Sequence, residues 1–168
     1  PRYMEAVLAQ AGGLAAPDAN STLRVTYGQV KSVEPRDGMV WKPFTTVAGV
    51  AAKHIGSGEF NVPERQREAI RALRAGKSSP FIDPNLKDVP VDFLSTVDTT
   101  GGNSGSPTLN AKGDLVGLLF DGTYETVASN YVFDTILTRS IHVDARYMLW
   151  VMSEVEGAQH LLRELGIQ

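Results

Sequence analysis

Asp98-Thr99-Thr100-Gly101-Gly102-Asn103-Ser104-Gly105-Ser106-Pro107 joins two apolar, β-like segments at residues 89–96 and 107–110. Three glycines and one proline fall within its last seven residues. Glycine reaches backbone conformations closed to other residues, so a serine among glycines can present its hydroxyl while neighbouring amides turn into a shared space. Such a loop suits acyl transfer, with Ser104 as nucleophile and the N–H groups of Gly102 and Ser104 donating to a developing oxyanion. One donor of this kind contributes about 3 to 4 kcal/mol to a transition state. A plain turn accounts for Gly101-Gly102-Asn103 but not for the whole string. A phosphate cradle fits poorly: neither G-x-x-x-x-G-K-[ST] nor G-x-G-x-x-G is present, and a β-like segment rather than a helix follows.

Outward from this loop, β-like segments recur downstream at residues 115–120, 131–133 and 140–143. Upstream they fall at 23–27, where alternation favours a half-buried strand, and at 30–33 and 39–44, with Pro35-Arg36-Asp37-Gly38 as the turn between. Residues 17–21 form a turn cluster and residues 77–88 a loop. Helical patterning appears at four places. Residues 2–14 are stopped by Gly12 and Gly13; within 45–74, Thr45 or Thr46 caps 47–52 and Pro63 opens 64–75 before Gly76. Asp144 caps residues 145–155, and a last helix at 158–165 is stopped by Gly166. The expected fold class is mainly β with added helices, a barrel or sandwich closed by C-terminal helices.

The chain has 168 residues, enough for one domain or a piece of a larger one. Its 16 Lys and Arg against 19 Asp and Glu give a net charge of −3, which argues against a phosphate-seeking protein. Arg65, Arg67, Arg71, Arg74 and Lys77 resemble a nucleic-acid patch, but Glu64 and Glu68 interrupt them and no stacking aromatic accompanies them, so they read as a solvated helix face. Tyr147, Leu149, Trp150, Val151, Met152, Leu161, Leu162 and Leu165 read as core or docking residues at helical spacing. The longest apolar run, Tyr147 to Met152, is far short of the roughly 20 residues that span a bilayer, so no membrane span is expected. With no cysteine, disulfides, thiolate metal sites and a cysteine nucleophile are excluded. The carboxylates show no metal-ligand spacing, and neither a metal nor another cofactor is expected.

Gly102-Asn103-Ser104-Gly105-Ser106-Pro107 resembles the nucleophile loop of chymotrypsin-fold serine peptidases. The wider pattern resembles one bacterial branch, the dipeptidyl-peptidase 7 and dipeptidyl-peptidase 11 family of exopeptidases. It is carried by Pro17-Asp18-Ala19-Asn20-Ser21-Thr22-Leu23-Arg24, Phe93-Leu94-Ser95-Thr96, Leu109-Asn110-Ala111-Lys112-Gly113 and Phe120-Asp121-Gly122. Val132-Phe133-Asp134, Val143-Asp144, Arg146-Tyr147 and Leu149-Trp150-Val151 continue it. The resemblance implies the C-terminal β-barrel of a chymotrypsin-like double barrel. It also implies release of dipeptides from the N-terminus of oligopeptides, a periplasmic or cell-surface location in a Gram-negative bacterium, and a homodimer.

A serine hydroxyl needs a base, normally a histidine oriented by a carboxylate. Only His54, His142 and His160 are available. His54 sits at an expected helix end, only 50 residues before Ser104, too close for a complete barrel between them. His142 alternates with Ile141 and Val143 and is expected on the exposed side of a strand; His160 is expected on the polar face of the last helix. The resemblance supplies the missing parts. In that family the catalytic His and Asp come from an N-terminal barrel, and a helical domain is inserted before the second barrel. Residues 1–16 would then be the tail of the helical insertion and 17–168 the C-terminal part of the peptidase domain. The chain would be one part of a longer protein, inactive alone.

Asp121-Gly122 taken alone reads as a turn closing the β-like run at 115–120. By resemblance, Asp121 binds the substrate's free α-ammonium, and Gly122 stands where acid-preferring relatives carry arginine. That implies a hydrophobic P1 residue. The family continues with Asn-Trp-Glu where this chain has Thr123-Tyr124-Glu125, which leaves the pocket's shape open. Asp98, six residues before Ser104, offers a competing trypsin-like reading with basic P1, set against a structural role in bonding loop amides. A further alternative is a non-catalytic peptide-binding barrel that kept the loop and lost its partners.

Overall fold

The computed structural model describes residues 2–13, 23–129 and 131–167. The turn expected at 17–21 and the boundary expected between 16 and 17 lie outside the described residues. Helix α1 (Arg2–Gln10) has no buried residue and ends at Gly12 and Gly13, both at positive φ. Strands β1 (Val33–Arg36) and β2 (Met39–Trp41) form a two-stranded antiparallel ribbon across the Asp37-Gly38 turn.

The main sheet contains β3 (Phe44–Thr46), β4 (Pro90–Ser95), β5 (Pro107–Leu109), β6 (Leu115–Gly122) and β7 (Ser140–Asp144). Their order is β3-β4-β7-β6-β5, every pair antiparallel. The expected mainly β fold with added helices is therefore what the chain forms. Helices α2 (Val47–Lys53), α3 (Glu64–Arg74) and α4 (Ala145–Trp150) complete one core. In it Val47, Ile70, Val89, Val91 and Trp150 are buried together.

The sequence signals explain most element ends. Asp144 accepts the Arg146 N–H at 2.9 Å and so caps α4, because a short carboxylate satisfies one of the amides a helix start leaves unpaired. Helix α2 differs in its cap. Thr46 holds the N-cap position without a side-chain bond, and the Asp88 carboxylate instead accepts the Ala48 N–H at 3.1 Å from 40 residues away. Helix α4 continues through a π-turn, Val151–Val155, before α5 (Gln159–Glu164). In α5 Leu162 is buried, whereas Leu161 and, at the helix end, Leu165, both expected as core or docking residues, are exposed.

Two expected strands do not form. Residues 23–27 are not assigned to a strand, and Leu23, Val25 and Tyr27 are almost fully exposed. The chain meets the sheet at residues 29–31: Val30 bridges to Ser95, Lys31 N–H donates to Leu94 O and Thr96 N–H to Gln29 O. Residues 131–133 lie in an exposed turn region, followed by a turn in which Asp134 accepts the Ile136 and Leu137 N–H groups. Alternation marks a strand only if one face finds a core to cover it. No helix among the described residues is long and apolar enough to cross a membrane.

Candidate active site

Ser104 is exposed at the edge of a cleft of about 250 Å³. The lining residues that matter here are Gly101, Phe120, Asp121, Gly122, Thr126 and Val127. The loop is shaped from within by Asn103. Its Oδ1 accepts the Thr100 N–H (2.9 Å), its N–H donates to Thr100 O (3.1 Å), and its carbonyl accepts the Ser106 N–H (2.9 Å). Gly102 and Gly105 sit at φ of +100° and +85°, a region that a side chain would make strained. The folded loop then docks on β6 by a reciprocal pair: Gly105 N–H to Leu119 O at 2.7 Å, and Leu119 N–H to Ser106 O at 3.0 Å.

Strand β6 runs two residues further than its composition suggests. Asp121 pairs with Ile141 and Gly122 with Ser140, so Asp121-Gly122 is strand rather than the turn its residue types favour. The register slips between Leu119 and Asp121, leaving Phe120 as an extra residue. Such a bulge re-aims neighbouring groups. Phe120 and Asp121 are both exposed, and the Phe120 carbonyl accepts from Ser104 Oγ at 3.4 Å. Asp121 Oδ1 accepts the Gly122 N–H at 2.8 Å.

Ser104, Asp121 and Gly122 thus line one cleft. Gly102 does not line it, although its neighbour Gly101 does. Among the described residues the N–H groups of Gly102 and Ser104 have no acceptor, which leaves both available to a ligand. Asp98 is outside the cleft. Burial raises its carboxyl above the usual range, and its N–H donates to Thr26 Oγ1 at 3.2 Å. The Thr100 amide of the loop is held by Asn103, which lies inside the loop.

None of the three histidines reaches Ser104's cleft. His54 ends α2, and its Nδ1 accepts the Val62 N–H at 3.0 Å, a structural role. His160 is exposed on α5. His142 corrects the expectation of an exposed strand position. It is 2% exposed, stacked on Phe93 at 4.7 Å, with Nε2 bonded to Ser95 Oγ and Nδ1 to Thr108 Oγ1, each at 2.7 Å. Strand β7 is central, flanked by β4 and β6, and turns Ser140, His142 and Asp144 inward while Ile141 and Val143 are half-buried. Burial alone pushes the His142 pKa down to about 4, so the ring is neutral at pH 7. Ser140 adds a second buried link, donating to Val97 O at 2.9 Å and pairing with Thr99 Oγ1. These two links tie down both flanks of the Ser104 loop.

Sequence reasoning missed Thr123, Thr126, Val127 and Ser129 in the cleft wall. Tyr124–Ala128 is a 3₁₀ turn, in which residues three apart eclipse. The signal was present in Thr123 and Thr126, spaced three apart directly after Gly122. Among the described residues no group of three or more His, Cys, Asp or Glu could hold a metal ion.

Comparison with known proteins gives the same placement. The family model for Peptidase S46 matches residues 1–167. The chain is 44% identical to an Asp/Glu-specific dipeptidyl-peptidase of Shewanella putrefaciens, over 90% of this chain and 23% of that protein. It is also 44% identical to a dipeptidyl-peptidase 7 of Phocaeicola vulgatus, over 90% of this chain and 21% of that one. It superposes on a crystal structure of Porphyromonas endodontalis DPP11 in complex with the dipeptide Arg-Asp with a TM-score of 0.85 and 36% identity, over 99% of this chain and 24% of that one. The chain therefore spans less than a quarter of the length of these relatives. With a family match running almost from end to end and a fold that superposes at this level, the chain belongs to the Peptidase S46 family.

Proposed function

We propose that this chain carries the nucleophile of a serine dipeptidyl-peptidase, which releases dipeptides from the N-terminus of oligopeptides. The observation that carries the reading is the exposed Ser104 hydroxyl beside a cleft that also holds Asp121, with the Gly102 and Ser104 amides uncommitted. Ser104 Oγ attacks the scissile carbonyl, the two amides receive the oxyanion, and Asp121 holds the substrate's α-ammonium two residues away. The base is a His/Asp pair from an N-terminal part of the same protein. Residues 1–16 are the tail of a helical insertion and 17–168 the second barrel with its C-terminal helices. In support, α1 leaves Tyr3, Met4 and Leu8 exposed among the described residues. A periplasmic or cell-surface location and a homodimer belong to the same reading.

Relatives named Asp/Glu-specific and a relative named dipeptidyl-peptidase 7 match at equal identity, and only the first name states a preference, for acidic residues. The cleft favours a hydrophobic P1. Among the described residues no Lys or Arg lines it, position 122 has no side chain, and Leu119, Phe120 and Val127 contribute to its walls. Without a fixed cation an acidic P1 side chain would lose water and gain no partner.

A panel of dipeptidyl-coumarin substrates on the full-length protein tests both levels. Leu, Met or Phe at P1 should exceed Asp or Glu by at least tenfold, and blocking the substrate's N-terminus should abolish turnover. Faster cleavage of Asp or Glu would refute the P1 assignment alone. Turnover indifferent to the blocking group would refute the exopeptidase reading.

A further inference from the structure

We infer that Thr126 sets the depth of the pocket beside Ser104, and that residue 122 and residue 126 compete for one space. The inference deepens the reading above and rests on its placement of P1 in this cleft.

Gly122 is glycine for a steric reason. Its φ lies outside the left-handed region, so the backbone does not require it. A Cβ built there would lie 2.8 Å from Thr126 Cγ2 and 2.9 Å from both Thr126 Cβ and Oγ1, closer than side chains tolerate. Thr126 cannot easily withdraw. Its Oγ1 donates to the Arg139 carbonyl at 3.0 Å and its N–H to Thr123 O at 2.8 Å. Its own carbonyl accepts from Ser129 N–H at 2.9 Å and Ser129 Oγ at 2.6 Å. The anchor is itself fixed. Arg139 is 2% exposed, and its guanidinium donates to the carbonyls of Ser32, Thr135 and Thr138. The Arg139 carbonyl also accepts the Thr123 N–H at 2.9 Å, so both threonines hang from one peptide.

The absence of a side chain at 122 therefore does not leave an empty pocket. A β-branched side chain from four residues on fills the place, and because Thr126 lines the same cleft as Ser104, its bulk limits what a substrate side chain can bury. Two consequences separate this from a pocket defined by residue 122 alone. Trimming Thr126 should shift preference toward larger P1 residues, and an arginine at 122 should need Thr126 trimmed before it can fit.

The test uses the full-length protein with Thr126→Ser, Thr126→Ala and Thr126→Val. Thr126→Ser keeps the bond to Arg139 and removes only the methyl, so it guards against loss of folding in Thr126→Ala. Thr126→Val keeps the shape and removes the bond. The Phe/Ala ratio of kcat/KM at P1 should rise roughly tenfold or more in Thr126→Ala and in the same direction in Thr126→Ser, the scale at which a pocket senses one or two heavy atoms. Thr126→Val should keep the original ratio. Gly122→Arg should gain cleavage after Asp or Glu only when combined with Thr126→Gly, since alanine would leave a Cβ 2.9 Å from the new one. Product dipeptides ending in Phe or Ala, titrated by calorimetry against a Ser104→Ala background, report the same ranking without catalysis. A ranking unmoved by Thr126→Ser and Thr126→Ala in both measurements overturns the inference, as does full acid preference from Gly122→Arg alone. A ranking that shifts in dipeptide binding while no variant hydrolyses anything upholds it and removes the peptidase reading instead.

Discussion

A neutral imidazole held at both nitrogens gives the sheet a built-in dependence on pH. His142 stacks on Phe93 and bonds Ser95 and Thr108, with burial lowering its pKa from 6.5 to about 4. The unfolded chain binds the proton more readily than the folded one, so the ring's contribution to stability is complete above pH 6.5 and is lost as pH falls toward 4. A shift of this size corresponds to about 3 kcal/mol. Urea unfolding of the wild type between pH 7 and pH 4 should therefore show that much more destabilisation than His142→Asn, whose side chain does not titrate there. Equal losses in the two proteins would show that the ring carries no such linkage. The alternation of His142 with Ile141 and Val143 pointed the wrong way because it assumed a strand with one wet face. A histidine between two apolar residues is as easily the polar member of a central strand, provided hydroxyls wait for both nitrogens.

At the scale of elements, the join between β7 and α4 rests on Arg146. Its Nε and Nη2 meet both oxygens of the buried Asp144 at 2.9 and 2.8 Å, and its Nη1 reaches Asp83 Oδ2 at 2.6 Å in the loop before β4. The Leu86 N–H, then Arg146, hold the Asp83 carboxyl below its usual range. Arg146→Met would leave the buried Asp144 carboxylate without its ion partner, holding only the backbone N–H of residue 146, and should lower Tm by several degrees. A Tm unchanged by that substitution would show the clasp to be dispensable. The elements that sequence reading placed well had local punctuation: Pro63 and Gly76 around α3, Gly38 in the β1–β2 turn, Asp144 before α4. Those it misplaced depend on distant partners. Residues 23–27 and 131–133 have strand-like composition but are not assigned to strands. Strand β6 reaches Gly122 only because Ile141 and Ser140 pair with its end past the Phe120 bulge. The Ser104 loop was legible because its glycines carry its shape locally. The Thr126 wall was not, because it depends on a carbonyl thirteen residues away.

For the whole molecule, the Ser104 loop borders a cleft that no histidine lines among the described residues. It spans less than a quarter of the length of its relatives and leaves Leu23, Val25, Tyr27, Tyr131, Val132 and Ile136 mostly exposed. Exposed apolar side chains on this scale suit surfaces that other parts of a larger protein cover. Arg65 and Arg67 meanwhile pair with Glu156 and Glu64, which makes the basic face of α3 an ion-paired surface. The account stands on the activation of one hydroxyl, and covalent labelling reads it directly. The full-length protein, treated with a fluorophosphonate and digested for mass spectrometry, should carry a single adduct at Ser104. Ser104→Ala should carry none, and the isolated 168-residue chain should label far more slowly. An intact full-length protein that stays unlabelled, or that is modified at another serine and not at Ser104, would contradict the account.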